Sequence, residues 1–266
     1  MSRRTTSLAV ASLAAVSLIS LASASASAKD HADWAIDFIN NVAEEDNNWA
    51  TPCSIDWDTY SGKTKGACFF TLTMQKALGY TDLDTFAMWR INSPSSDNYF
   101  DLINQSPAVG APPPGIETHF RRVTRAVDVQ KGDVLVVGAT ATYAGHTVII
   151  TGAPTEILPQ VNPRYSGTKQ YAVPIADSTE TAHGCNESYP DSRWSGPCTG
   201  GYMASGAGTA YMRVYTDSLT GILLGYTWSV TSSATSYYSP STRPYRIGRL
   251  FKMPAPLPTE PPPPPP

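Results

Sequence analysis

The stretch Lys65-Gly66-Ala67-Cys68-Phe69-Phe70-Thr71-Leu72 sets a cysteine at the opening of an apolar run that ends at Gly79. Its apolar density predicts a helix starting near Ala67, and Gly79 suits a left-handed C-terminal cap. A cysteine in the first turn of a helix lies beside unpaired amides and the positive end of the dipole, both of which stabilise a thiolate. Lys63 and Lys65 add to that field. The same amides can hold the oxyanion of a tetrahedral intermediate. A nucleophilic sulfur then needs an imidazole to move protons and a polar group to orient that imidazole.

Working outward, the residues around this segment read as helices first and strands afterwards. Asp30 can cap a helix in which Trp34, Phe38 and Val42 recur with Ala35 and Ile39 beside them, ending near Glu45. Shorter helical pieces are predicted over 83–89 and, behind the caps Ser95 and Ser96, over 97–103. Pro112, Pro113 and Pro114 then impose a rigid loop. From about Val127 strand patterns take over: 134–137 behind a turn at Gly132-Asp133, 146–151 behind Gly145, and 171–176. A hairpin is predicted from 209–215 and 222–228, turning at 217–221, with a last strand over 245–251. Helices followed by antiparallel strands imply an α+β fold with the helices packed on one side of the sheet.

His146 is the best placed of the four histidines, opening a strand directly after Gly145. The next strand ends at Ile175-Ala176-Asp177-Ser178-Thr179, so Asp177 can orient His146 if the two strands are neighbours. This order of Cys68, Gly132-Asp133, Gly145-His146-Thr147-Val148 and Asp177-Ser178-Thr179 resembles the papain-like superfamily, particularly its NlpC-type branch of bacterial cell-wall hydrolases. Gly66-Ala67-Cys68-Phe69 also resembles the Gly-Ser-Cys-Trp surround of the papain nucleophile, and the likeness runs from Asp56 to Leu250. It implies a papain-like α+β domain with Cys68 as nucleophile, His146 as general base and Asp177 as the orienting residue. By the same resemblance Tyr60 and Gly66 belong to the cleft and oxyanion region, no cofactor is needed, and the substrate is an amide bond in peptidoglycan peptides. The chain departs from the NlpC-type motif in having Ala67 and Phe69 where Asp and Ser flank the cysteine. It has no papain-type glutamine upstream of the nucleophile either.

Composition bounds the rest. Arg3 and Arg4, an apolar run from Leu8 and the small residues up to Ala28 form an export signal over 1–28, too short in its apolar part to span a bilayer. Its removal takes the formal charge from −3 to about −5, which argues against nucleic acid as a partner. The nearest basic cluster, Arg121, Arg122 and Arg125, reads as a solvated helix face. The folded domain is expected over 29–253, and 254–266 as a proline-rich, disordered tail in extended polyproline form, a spacer or a ligand for a partner.

Export permits disulfides among Cys53, Cys68, Cys185 and Cys198. Cys185 and Cys198 share a loop rich in Gly, Pro and Ser and are expected to pair, leaving Cys53 over if Cys68 is a nucleophile. The competing reading pairs Cys53 with Cys68. It makes the chain a catalytically inactive secreted domain acting in adhesion or cell-wall binding. His183 with Cys185 and Cys198 matches no zinc spacing, so no metal is expected; His183 itself reads as an exposed loop residue, with a substitute orienting residue or a place at the cleft rim as the alternative. Trp34, Trp57, Trp89 and Trp228 read as core or rim packing.

Overall fold

The computed structural model describes residues 29–112, 115, 117–194, 198 and 205–258. The expected export signal, Pro113, Pro114 and the final prolines lie outside the described residues. Four α-helices precede the large sheet, α1 (His31–Asn41), α2 (Gly66–Leu78), α3 (Asp82–Trp89) and α4 (Ser96–Gln105), with three short strands that the sequence did not announce between α1 and α2. Asp30 caps α1, its side chain accepting from the Asp33 amide at 2.8 Å, and Ser95 caps α4. Gly79 closes α2 at φ 68°, where a side chain would be strained. Helix α1 stops at Asn41, short of the expected Glu45.

Two sheets follow from the strands. The small one joins β1 (Asn47–Trp49), β2 (Ser54–Asp56) and β3 (Ser61–Thr64) in the order β1-β3-β2, with β1 parallel to β3. The large sheet contains β4 (Phe120–Val123), β5 (Val134–Val137), β6 (His146–Ile150), β7 (Thr155–Glu156), β8 (Thr168–Thr179), β9 (Gly206–Asp217), β10 (Leu223–Thr227), β11 (Tyr237–Tyr238) and β12 (Tyr245–Leu250). Its order is β11-β10-β9-β8-β6-β5-β12-β4, with β7 on β8 and every pairing antiparallel.

Side chains alternate between two faces along these strands. Val134, Val136, Ile149 and Ala176 face the helices, packing with Phe38, Phe69, Phe70, Tyr99 and Ile103. Leu135, Val137, Val148, Ile150, Ile175, Met212 and Ile247 form a second core on the other face. That core is covered because the sheet curls: Arg125 bridges to Ile222, and the Leu223 amide donates to Thr124 O at 3.0 Å. The run after β4 thereby meets the start of β10, and the sheet bends into a barrel with its helices outside.

Two expectations are corrected here. Arg121 and Arg122 lie on strand β4 rather than a helix, and Arg121 is buried, paired with Glu117 at 3.1 Å and set over the Phe251 ring at 3.7 Å. The tail does not leave the domain at residue 254. Tyr80 donates its hydroxyl to Pro254 O, and the Leu257 amide donates to Asp84, so 254–258 lies against α3.

Candidate functional site

The first turn of α2 meets the start of β6, and their contact depends on glycine. A Cβ at Gly66 would sit 2.6 Å from Thr147 O, 2.8 Å from His146 Cε1 and 3.0 Å from His146 Nδ1. Those separations exclude a side chain, so the imidazole packs directly on the helix backbone. Gly66 is the first residue of α2, and the ring therefore lies at the end of the helix where the amides are unpaired.

His146 is fixed from its other side. Its Nε2 donates to Asp177 Oδ2 at 2.6 Å, as expected from two neighbouring strands. With Nε2 engaged by Asp177, Nδ1 is the ring nitrogen left over, and it has no partner among the described residues. Asp177 is fully buried and shared: His183 Nε2 lies 3.1 Å from the same oxygen, and Arg193 Nη2 donates to Oδ1 and to Asp177 O. Arg193 also holds Asp191 at 3.1 Å, and Asp191 in turn accepts the His183 amide at 2.7 Å. Burial works to raise the Asp177 carboxyl, but Arg193, His183 and the bond from His146 outweigh it and hold it well below the usual aspartate value.

His183 is completely buried, which corrects its reading as an exposed loop residue. Both its ring nitrogens face oxygens, Trp228 O and Asp177 Oδ2, and the ring stacks on Trp228 at 4.0 Å. It reaches the site from an irregular loop and shares Asp177 with His146, in keeping with the alternative that placed it at the orienting group rather than in solvent. His146, Asp177 and His183 have their ligand-type atoms within 4.8 Å of one another. These atoms already bond to each other and Arg193 occupies the second carboxylate oxygen, so the donor set is spent on hydrogen bonds.

Cys68 departs from its expected place. It is the third residue of α2, and its sulfur turns back toward the start of the helix, accepting from the Lys65 amide at 3.1 Å. That sulfur is bonded to Cys53, and Cys185 is bonded to Cys198. No described cysteine is free, so Cys53 is not left over and Cys68 offers no thiolate. Helix geometry explains the change: about 100° per residue separates the face of Gly66 from that of Cys68 by more than half a turn. Tyr60 is also elsewhere, packed against the helix-side core with its hydroxyl donating to Asp37 at 2.8 Å. Of the expected site, the structure brings together Gly66, His146 and Asp177.

In front of His146 opens a cleft of about 360 Å³. Trp49 and Trp228 belong to its wall, with Tyr143, Arg243 and Glu180. Lys65 stands 4.3 Å from the Trp49 ring, and Arg243 is layered between Tyr143 and Tyr238 at 4.0 and 3.9 Å. Chemically the cleft offers flat aromatic faces, the Arg243 cation and the Glu180 carboxylate in its lining, Lys65 beside Trp49, and the second nitrogen of the His146 ring.

No family model matches the chain, and no solved structure matches it. The chain is 22% identical over 200 residues to an uncharacterized protein of Acanthamoeba polyphaga mimivirus, a span of 72% of this chain and 79% of that protein. That relative carries no stated activity, so the chemistry of the cleft is read from its own residues.

Proposed function

We propose that the chain is a secreted, papain-like domain of the NlpC type that has the base and carboxylate of a thiol-hydrolase site without its nucleophile. On this reading it is a binding module that holds cell-wall peptidoglycan in the cleft before His146. The observation that carries the proposal is Gly66, whose absent side chain is where a group attacking a substrate would have to meet Nδ1 of His146. Without a side chain at that point, and with Cys68 bonded to Cys53, the dyad can orient a ligand but has no sulfur to acylate. Secretion is supported by the signal-like first residues and by two disulfides. The cleft supports binding, since Trp49 and Trp228 give stacking surfaces and Lys65 and Arg243 meet stem-peptide carboxylates.

The test is to incubate the protein with purified peptidoglycan, sediment the wall, and analyse the supernatant for new amino termini. The proposal expects co-sedimentation, no new termini, and roughly tenfold weaker binding for Trp49→Ala. Release of amino termini that stops in His146→Ala overturns it in favour of hydrolysis. Failure to sediment overturns the ligand class.

A further inference from the structure

The barrel wall is incomplete where β12 extends past β4. Strand β4 pairs with β12 only between Ile247 and Leu250, and its continuation through Thr124 and Arg125 turns to the start of β10. Between them lies a cavity of about 170 Å³, walled by Val123, Leu223, Pro240 and Ile247. It shares no lining residue with the cleft before His146. Tyr245 also lines it, only 3% exposed, and its hydroxyl has no hydrogen-bond partner among the described residues.

The rim is cationic. Arg122 lies opposite Gly248, and Arg246 precedes Gly248 by two residues, which puts both guanidinium groups on one face of the sheet. Both reach Asn104, Arg122 donating to its O at 3.3 Å and Arg246 to its Oδ1 at 2.9 Å. Neither has a carboxylate partner among the described residues, and the Nε of Arg122 is buried with no partner at all. Burial, and then the nearby Arg122 charge, lower the pKa of Arg246. An unpaired buried N–H and an unpaired buried hydroxyl are each unfavourable unless something fills their bonds. Two cations lacking a counter-ion beside an apolar slot define that something as an anion with an apolar tail.

We propose that this opening binds a short aliphatic monocarboxylate that threads the wall, with the carboxylate between Arg122 and Arg246 on the helix-facing side and the tail passing inward between Leu223, Pro240 and Tyr245. The charge satisfies the arginines by the bonds guanidinium groups form best, and the tail closes the gap in the barrel wall. The small volume selects a short chain over a long one.

Calorimetric titration of the whole protein with hexanoate, acetate and 1-hexanol tests this. Hexanoate should bind saturably, with acetate and 1-hexanol weaker by at least about tenfold. Arg122→Gln and Arg246→Gln should each weaken hexanoate by about tenfold while leaving the urea midpoint of the free protein unchanged or raised, because each relieves a like-charge contact. In a ¹⁵N spectrum, hexanoate should shift amides of 122–124, 222–223 and 245–247. Absence of saturable binding overturns the proposal, as does hexanoate binding that survives loss of both arginines. Equal binding of acetate would make this an anion site only, and equal binding of 1-hexanol an apolar slot only; either result overturns the amphiphile.

Discussion

Gly66 and Asp177 carry the chemistry of the cleft in opposite ways, one by having no side chain and the other by collecting partners. Gly66→Ala must force apart Thr147 O and the His146 ring, which a Cβ would approach to 2.6 and 2.8 Å. Overpacking of this kind costs about 1–3 kcal/mol, so the variant's urea midpoint should fall accordingly. An unchanged midpoint would mean that the ring does not rest on the helix. Asp177 is held below the ordinary aspartate value chiefly because Arg193, His183 and His146 outweigh the effect of burial. Its ionised form therefore stabilises the fold fully above the unfolded value of about 3.9, and this contribution is lost as pH falls below it toward the folded pKa. Stability followed by tryptophan fluorescence should drop steeply below about pH 4. Asp177→Asn, which leaves the buried Arg193 with Asp191 as its remaining carboxylate, should lose about 1–3 kcal/mol at neutral pH and flatten that acid limb. The pairing of His146 with Asp177 is legible in sequence because each sits at the end of a recognisable strand. Arg193 and His183 are not, since they come from a loop without periodicity and are joined to the site only by tertiary folding.

At the scale of elements, the bond from Cys53 to Cys68 ties the entry of β2 to the first turn of α2 across 15 residues. A loop of that length contributes about 3 kcal/mol through the unfolded chain. Cys53→Ala combined with Cys68→Ala should lower unfolding free energy by roughly that amount in urea while retaining the native far-ultraviolet spectrum. Collapse of the spectrum would assign the bond a larger role than tethering. The caps that delimit α1, α2 and α4 could be read directly, because Asp30, Gly79 and Ser95 act through their own side chains or lack of one. Strand β4 could not. Its run of arginines between Phe120 and Val123 mimics a solvated surface, and only the stacking of Arg121 on Phe251 and its bond to Glu117 make that residue a buried one.

For the whole molecule, the α+β class follows from four helices preceding the strands of the large sheet, and the two apolar faces of that sheet follow from period-two alternation. The curl of the sheet is different in kind. It depends on Arg125 meeting Ile222, 97 positions further along the chain, a pairing that no local pattern encodes. The same closure leaves the opening beside Arg122 and Arg246, and it turns β6 and β8 so that His146 faces α2. The account rests on which residue of α2 meets that imidazole. The most direct measurement is a peptide map of the native, unreduced protein after alkylation near neutral pH. The account predicts that Cys68 is recovered unlabelled and joined to Cys53, with no alkylated cysteine anywhere in the chain. Recovery of Cys68 in alkylated form, with Cys53 free, would contradict it and return the sulfur to the cleft as a nucleophile.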